Sequence, residues 1–325
     1  MAENPSPQCT VIITPRDRLS CIEHCLNNVF KHTLIPVKVI LVAGGLPEKA
    51  RRHLQAKFKD SVEWVFHDRF MNMAEQRNIG LRMARTETAA CIDTDVYVRH
   101  DWLRPLMDCY RQTGAALISP VVLDRQGLIH TAGTDFYITE SEGKKHVMAE
   151  LSFVDLPVLE KHNIKRRQMD YAEVHCNFVH VEKALRLGIY DERFREGGDY
   201  DSGLTLQKAG EKIMLEPAST VYLYYPMILD DLRDLDIYLW KWDLGTVMEN
   251  YRYFEKKWGL DVLSKGVKRD IIIMLNHRVG FCTRLFQSNL SIAIDLAYYR
   301  AKLTIATLPT FWRKFKNRAL GLENA

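Results

Sequence analysis

What most constrains this chain is a set of short apolar runs with little polar alternation: CTVIIT (9–14), VKVILVAGG (37–45), VEWVF (62–66) and AACIDTDVYV (89–98). A strand solvated on one face alternates apolar and polar residues, whereas one covered on both faces does not. Helical patterns separate the runs. In SCIEHCLNNVFKH, Ile22, Leu26, Val29 and Phe30 fall on one face, and Ser20 with Glu23 has the spacing of a capping box. EKARRHLQAKF and MAEQRNIGLRMAR (73–85) repeat the helical pattern. This order predicts an α/β fold with a mostly parallel sheet covered on both faces. Ligands of such sheets bind beyond the carboxyl ends of the strands.

The fourth run raises a problem of charge, because Asp93 and Asp95 are set two residues apart in an apolar stretch. Unpartnered buried carboxylates are costly, and two together repel. A divalent cation is one compensation: hard Mg²⁺ or Mn²⁺ accepts carboxylate oxygens, usually waits for substrate phosphates, and so implies a diphosphate ligand. An arginine partner or simple solvation is the other.

Further along, 101–112 reads as a helix, 117–123 as a strand, and 124–170 as polar, irregular loops suited to shaping a substrate site. GGDYDSGLTLQKAG predicts a helix closing at Gly210, with Asp201 as its cap, and KIMLEP and STVYLYYP read as two strand-like runs. From Asp234 the composition becomes helical and aromatic, with Trp240, Leu244, Val247, Tyr251 and Phe254 at three- and four-residue steps. Such a helix packs on the preceding domain.

Charge is unevenly distributed. From Lys265 onward there are eleven Lys/Arg against three Asp/Glu, a net +8, whereas the whole chain carries +4, leaving −4 for residues 1–264. A basic amphipathic segment with Phe311, Trp312 and Phe315 beside Arg313, Lys314, Lys316 and Arg318 suits an anionic membrane interface, a dimer contact or a solvated helix. No apolar stretch reaches the roughly 18 residues of a membrane span, and the first residues lack a secretory pattern, so the expected location is cytoplasmic, with the tail peripheral on the inner face of a membrane. Seven scattered cysteines suit reduced core thiols, and Cys21 with Cys25 lacks the second pair of a zinc site. Dinucleotide, P-loop and zinc-protease motifs are absent, and nothing calls for nucleic acid.

The stretches TVIITPRDRLSCIEHCLNNVFKHT, VKVILVAGG, MNMAEQRNIGLRMARTETAACIDTDVYVRHDWL and IYDERFREGGDYDSGLTLQKAGEKIMLEPASTVY, in that order, resemble the family 2 nucleotide-sugar glycosyltransferases of GT-A fold. The resemblance implies a catalytic domain over 8–230, with a nucleotide-binding half about 8–98 and an acceptor half about 99–230, and a helical, basic extension over 231–325. It assigns Asp93 and Asp95 to the metal, Mn²⁺ or Mg²⁺. It places Pro15, Asp17, Ala43, Arg77, Asn78, Asp93 and Thr94 around the donor nucleotide and makes Asp199 the general base of an inverting transfer. Glu173, His175 and His130 are candidates for contacting the acceptor or donor sugar.

The implied donor is a nucleoside-diphosphate sugar, with UDP-sugar favoured, and the acceptor is a glycan or lipid-linked hydroxyl, as in cell-surface polysaccharide or glycolipid synthesis. A homo-oligomer is compatible. Three departures mark this chain: Ala43-Gly44-Gly45 where the family carries acids, Gly198-Asp199 where it carries an acid pair, and Leu223 where it often carries histidine. A sugar-phosphate nucleotidyltransferase and a catalytically silent glycan-binding relative are the rival readings.

Overall fold

The computed structural model describes residues 6–141, 143–153, 163–195, 197–224, 229–261, 280–298 and 300–301. The four apolar runs form β1 (Cys9–Thr14), β2 (Val37–Gly44), β3 (Val62–His67) and β4 (Thr88–Asp93). They are parallel and lie in the spatial order β4-β1-β2-β3. Helices α1 (Ile22–His32), α2 (Glu48–Phe58) and α3 (Met73–Met83) connect them. Beyond the short β5 (Val96–Val98) come α4 (Leu103–Thr113), β6 (Leu117–Leu123) and β7 (Ile129–Thr131).

A hairpin of β8 (Thr134–Ser141) and β9 (Lys144–Leu151) stands apart from the main sheet. The chain returns through β10 (Arg167–Gln168), β11 (Cys176–His180), α5 (Val181–Leu187), α6 (Gly198–Lys208) and β12 (Ile213–Leu223). Strand β11 inserts antiparallel between β4 and β6, while β12 runs parallel to β6. The sheet is therefore mixed, with a parallel half carrying the first strands. Helices α7 (Leu235–Lys241), α8 (Leu244–Trp258) and α9 (Phe281–Phe286) follow among the described residues.

Two apolar cores account for the continuous runs. Val11, Ile13, Ala90 and Ile92 pack with residues of α1, α2 and α4, whereas Ile12, Ala89 and Cys91 pack with residues of α3, α5 and α6. Neither face of β1 or β4 meets water, which accounts for their largely apolar interiors. Helix α3 lies close against β1 because residue 80 is glycine. A Cβ there would come 2.4 Å from Ile12 Cγ2.

Several expectations are corrected. Ser20 does not cap α1: Cys21 is the N-cap with no side-chain bond, and both Ser20 N and Oγ donate to Asp234, at 2.8 and 2.5 Å. Phe30 is 40% exposed and sits at the rim of the core that holds Ile22, Leu26 and Val29, stacked on Phe58 with ring centroids 5.9 Å apart. Segment 124–170 is not all loop, since it holds the β8–β9 hairpin. KIMLEP and STVYLYYP merge into the single β12, bulged between Glu216 and Thr220. The aromatic segment is broken into α7 and α8, because the Asp243 side chain accepts from Thr246 N and starts a new helix.

Asp201 lies inside α6 and does not cap it. It is buried, and its Oδ1 accepts from Trp258 Nε1 at 2.7 Å and meets Lys257 at 2.6 Å. All seven cysteines are free thiols, and six are buried. None of the helices among the described residues is long and apolar enough to cross a membrane. The basic segment 311–318 lies outside the described residues.

Candidate active site

Three chain segments converge beyond the carboxyl ends of β1 and β4: the loop after β1 (15–18), the turn Asp93-Thr94-Asp95, and the lead-in to β11 (173–175). Backbone bonds fix them together. Thr94 N donates to Thr14 O at 3.2 Å, Asp93 N to His175 O at 3.1 Å, and Tyr224 N to Asp95 O at 2.7 Å. Gln76 Nε2 donates to Pro15 O at 3.0 Å, and Thr94 Oγ1 to Arg18 O at 2.6 Å.

The two carboxylates are compensated in different ways. Arg77 Nη2 donates to Asp93 Oδ1 at 2.8 Å and to Val174 O, and both members of the ion pair are fully buried. Half of Asp93 is thus compensated by an arginine from α3, the alternative to a cation that the sequence left open. Asp93 Oδ2 and both Asp95 oxygens are buried without a hydrogen-bond partner. Burial, together with Asp17 and Asp93 nearby, pushes the Asp95 carboxyl up to about 7 against the pull of Arg16 and Arg18.

The loop after β1 is charged and held from the far end of the chain. Asp17 pairs with Lys241 of α7 at 3.3 Å, both about 2% exposed. Arg18, also buried, binds Asp230 at 2.7 Å and the Tyr238 hydroxyl. Sequence reasoning missed Arg16, Arg18 and Lys241. The signals were the two arginines flanking Asp17 and a lone lysine inside the apolar YLWKW stretch.

Glu173, His175 and His130 come together beside Asp93. His175 Nδ1 lies 3.5 Å from Asp93 Oδ2 and Nε2 lies 3.8 Å from Glu173 Oε2, which in turn lies 3.2 Å from His130 Nε2. Burial alone would raise Glu173 and lower His130, yet their mutual attraction wins and holds Glu173 low and His130 high. At His175 burial prevails and lowers the imidazole. Asp199 stands in the first turn of α6, after Gly197 at φ +80°, and borders a small recess lined by Arg16, Val174, Trp240 and Lys241 among others. The structure thus gathers Pro15, Asp17, Arg77, Asp93, Thr94, Asp95, His130, Glu173, His175 and Asp199 around one region.

Two candidates have packing or tethering partners of their own. Ala43 is fully buried in the apolar core, opposite Phe66 on β3. Asn78 donates to Tyr190 O and Glu192 Oε1, both at 2.9 Å, and so ties α3 to the loop after α5.

Residues 10–153 match the family described as Glycosyl transferase family 2. Two curated relatives, the pre-mycofactocin glycosyltransferases of Mycobacterium tuberculosis strains CDC 1551 and H37Rv, are each 25% identical over 221 residues, or 65% of this chain. The crystal structure of GalNAc-T7 with UDP, GalNAc and Mn²⁺ superposes with TM-score 0.53 at 16% identity, over 82% of this chain and 54% of that one.

The fold is GT-A, and the chain resembles the family 2 glycosyltransferases.

It spans 42% of the length of the two curated relatives. In this GT-A fold, the carboxyl end of β4 carries the D-x-D turn, and the first strand, its loop and α3 surround it. Leu223, where the family often carries histidine, is a core side chain 1% exposed. The imidazoles near the turn come instead from β7 and from the lead-in to β11.

Proposed function

We propose that the protein is a nucleotide-sugar glycosyltransferase, transferring a sugar from a nucleoside diphosphate to an acceptor hydroxyl with inversion. One observation carries the reading: Asp95, 1% exposed, leaves both carboxylate oxygens without a hydrogen-bond partner at the end of β4, next to Asp93 Oδ2, which faces His175 Nδ1 at 3.5 Å. Such a site is costly unless a ligand completes it. Three oxygens of this kind suit hard Mn²⁺ or Mg²⁺, with Asp95 and Asp93 as the holding residues. When bound, the ion supplies Lewis-acid stabilisation of the departing diphosphate.

The remaining work falls to the chain's own groups. Arg16 and Lys241, lining the recess beside the turn, offer positive charge where diphosphate charge develops. Asp199, on another wall of that recess, takes the acceptor hydroxyl proton as the new C–O bond forms. Base and leaving group on opposite sides of the anomeric carbon give inversion. The preferred donor is a UDP-sugar, in keeping with the UDP and GalNAc of the GalNAc-T7 complex, and the acceptor is a glycan or lipid-linked hydroxyl.

The test is release of nucleoside diphosphate from a panel of donors with Mn²⁺, in wild type and Asp199→Asn. Wild-type release that falls roughly 10²–10⁴-fold in the variant supports the assignment. Pyrophosphate released from nucleoside triphosphates would make it a nucleotidyltransferase, and no turnover of any donor would make it a binding protein.

A further inference from the structure

The cluster of His130, Glu173 and His175 has a chemistry distinct from the acid pair. Their ligating atoms lie within 4.8 Å of one another, and no other such group occurs among the described residues. Glu173 Oε2 stands between the two imidazoles, 3.2 Å from His130 Nε2 and 3.8 Å from His175 Nε2. Ligands about 2.0–2.2 Å from a shared tetrahedral ion lie roughly 3.3 Å apart, so the Glu173–His130 pair already has the spacing and His175 must draw in toward both. Glu173 Oε2 is buried, and the groups facing it are the two imidazoles, His130 as an ion pair at 3.2 Å and His175 at 3.8 Å.

The surroundings match those of a metal-bound histidine. Such an imidazole presents one nitrogen to the ion and the other to a carboxylate, which fixes its orientation. His175 does this: Nε2 faces Glu173 and His130, while Nδ1 faces Asp93 Oδ2 at 3.5 Å. Asp93 is itself fixed by Arg77, and Arg77 also holds Val174 O, the residue between Glu173 and His175. The orienting chain therefore runs Arg77–Asp93–His175. His130, with 35% of its side chain exposed, is the side from which an ion enters.

We propose that His130, Glu173 and His175 form a transition-metal site of two imidazoles and one carboxylate, with Asp93 as the positioning group for His175. Imidazole ligands select Zn²⁺, Co²⁺ or Fe²⁺ over Mg²⁺, whereas the Asp95 oxygens select hard ions, so the two sites separate by metal as well as by residue. Three protein ligands leave a fourth position open to water or a substrate oxygen. The inference does not depend on glycosyl transfer.

The test is titration of the chelator-treated full chain with Zn²⁺ by calorimetry and with Co²⁺ by visible absorption. One equivalent of Zn²⁺ is expected, displacing Co²⁺ and abolishing its ligand-field bands. Glu173→Gln and His130→Gln lose this uptake while keeping the wild-type circular dichroism spectrum. Asp93→Asn weakens uptake by about 10–100-fold, as loss of an orienting partner does. Asp95→Asn retains it. No uptake by wild type, unchanged uptake in both Glu173→Gln and His130→Gln, or loss in Asp95→Asn alone would each overturn the proposal. Zinc uptake without turnover of any sugar donor would leave this site standing and remove only the transferase reading.

Discussion

Replacing Arg77 by methionine tests how the buried acids are tolerated. Methionine keeps an unbranched apolar stem and removes the guanidinium. In the native chain Arg77 and Asp93 are 0% exposed and 2.8 Å apart, so water does not screen their attraction and no discount for exposure applies. Removing one member of such a pair leaves an uncompensated buried charge and costs about 3–5 kcal/mol. Loss of the bond to Val174 O strands a buried carbonyl and adds about 1 kcal/mol. The variant should therefore be about 4–6 kcal/mol less stable by urea unfolding.

The double variant Arg77→Met/Asp93→Asn separates the charge from the packing. An amide at 93 has no charge to strand, so the second change should recover part of the loss, with a coupling of about 1–3 kcal/mol between the two positions. A single-variant loss below about 1 kcal/mol, or strict additivity in the double variant, would show that Asp93 is compensated by something other than Arg77.

Other variants test separate links. Gly80→Ala gains up to about 1 kcal/mol of helix propensity but drives a Cβ into Ile12, and should lose about 1–3 kcal/mol net of repacking, read by thermal melting. Asp201→Asn should lose about 1–3 kcal/mol of stability through Trp258 and Lys257 and keep turnover, the opposite of Asp199→Asn, so measuring both quantities on both variants separates structure from catalysis. Burial pushes the Asp234 carboxyl up to about 6, so the folded state holds its proton more tightly than the unfolded chain. The stability this group contributes is present at low pH and lost as pH rises from about 4 through 6. Asp234→Asn should gain on wild type across that window, by at most about 3 kcal/mol, and level off above it, which melting temperatures from about pH 4 to 8 will show.

The parallel half of the sheet was legible because β1, β2 and β4 are covered on both faces and carry almost no polar residues, a pattern that neither an amphipathic helix nor a half-solvated strand produces. The position of the D-x-D turn followed, since sheet topology fixes where strand ends lie. What escaped depends on contacts distant in sequence. Ser20 has the composition of a helix cap, yet a carboxylate 214 residues away takes its bonds. The pattern Arg77-Asn78-x-Gly80 reads as one donor-binding unit, but its members do different work: Arg77 neutralises Asp93, Asn78 ties down a loop, and Gly80 admits Ile12. The β8–β9 hairpin is hard to see in the sequence because its outer residues are largely exposed, so it lacks the buried run that marks a central strand.

The same long-range contacts argue against a boundary at residue 230. The loop after β1 carries Asp17 and Arg18 in buried positions, and a charge buried in a loop needs partners that do not move. Apart from Asp230 for Arg18, those partners come from beyond the proposed boundary: Lys241 for Asp17, Tyr238 and Asp234 for Arg18, and Asp234 again for Ser20. Helix α7 is thus part of the wall of the candidate site rather than an appendage packed on a finished domain. A chain ending at residue 230 should melt well below the full-length protein and lose nucleotide-dependent thermal stabilisation, even though every residue of the D-x-D turn is still present. If that shortened chain instead melts with the full-length protein and takes up nucleotide equally well, α7 does not hold the loop, and the ion pairs across residue 230 carry none of the stability argued for them.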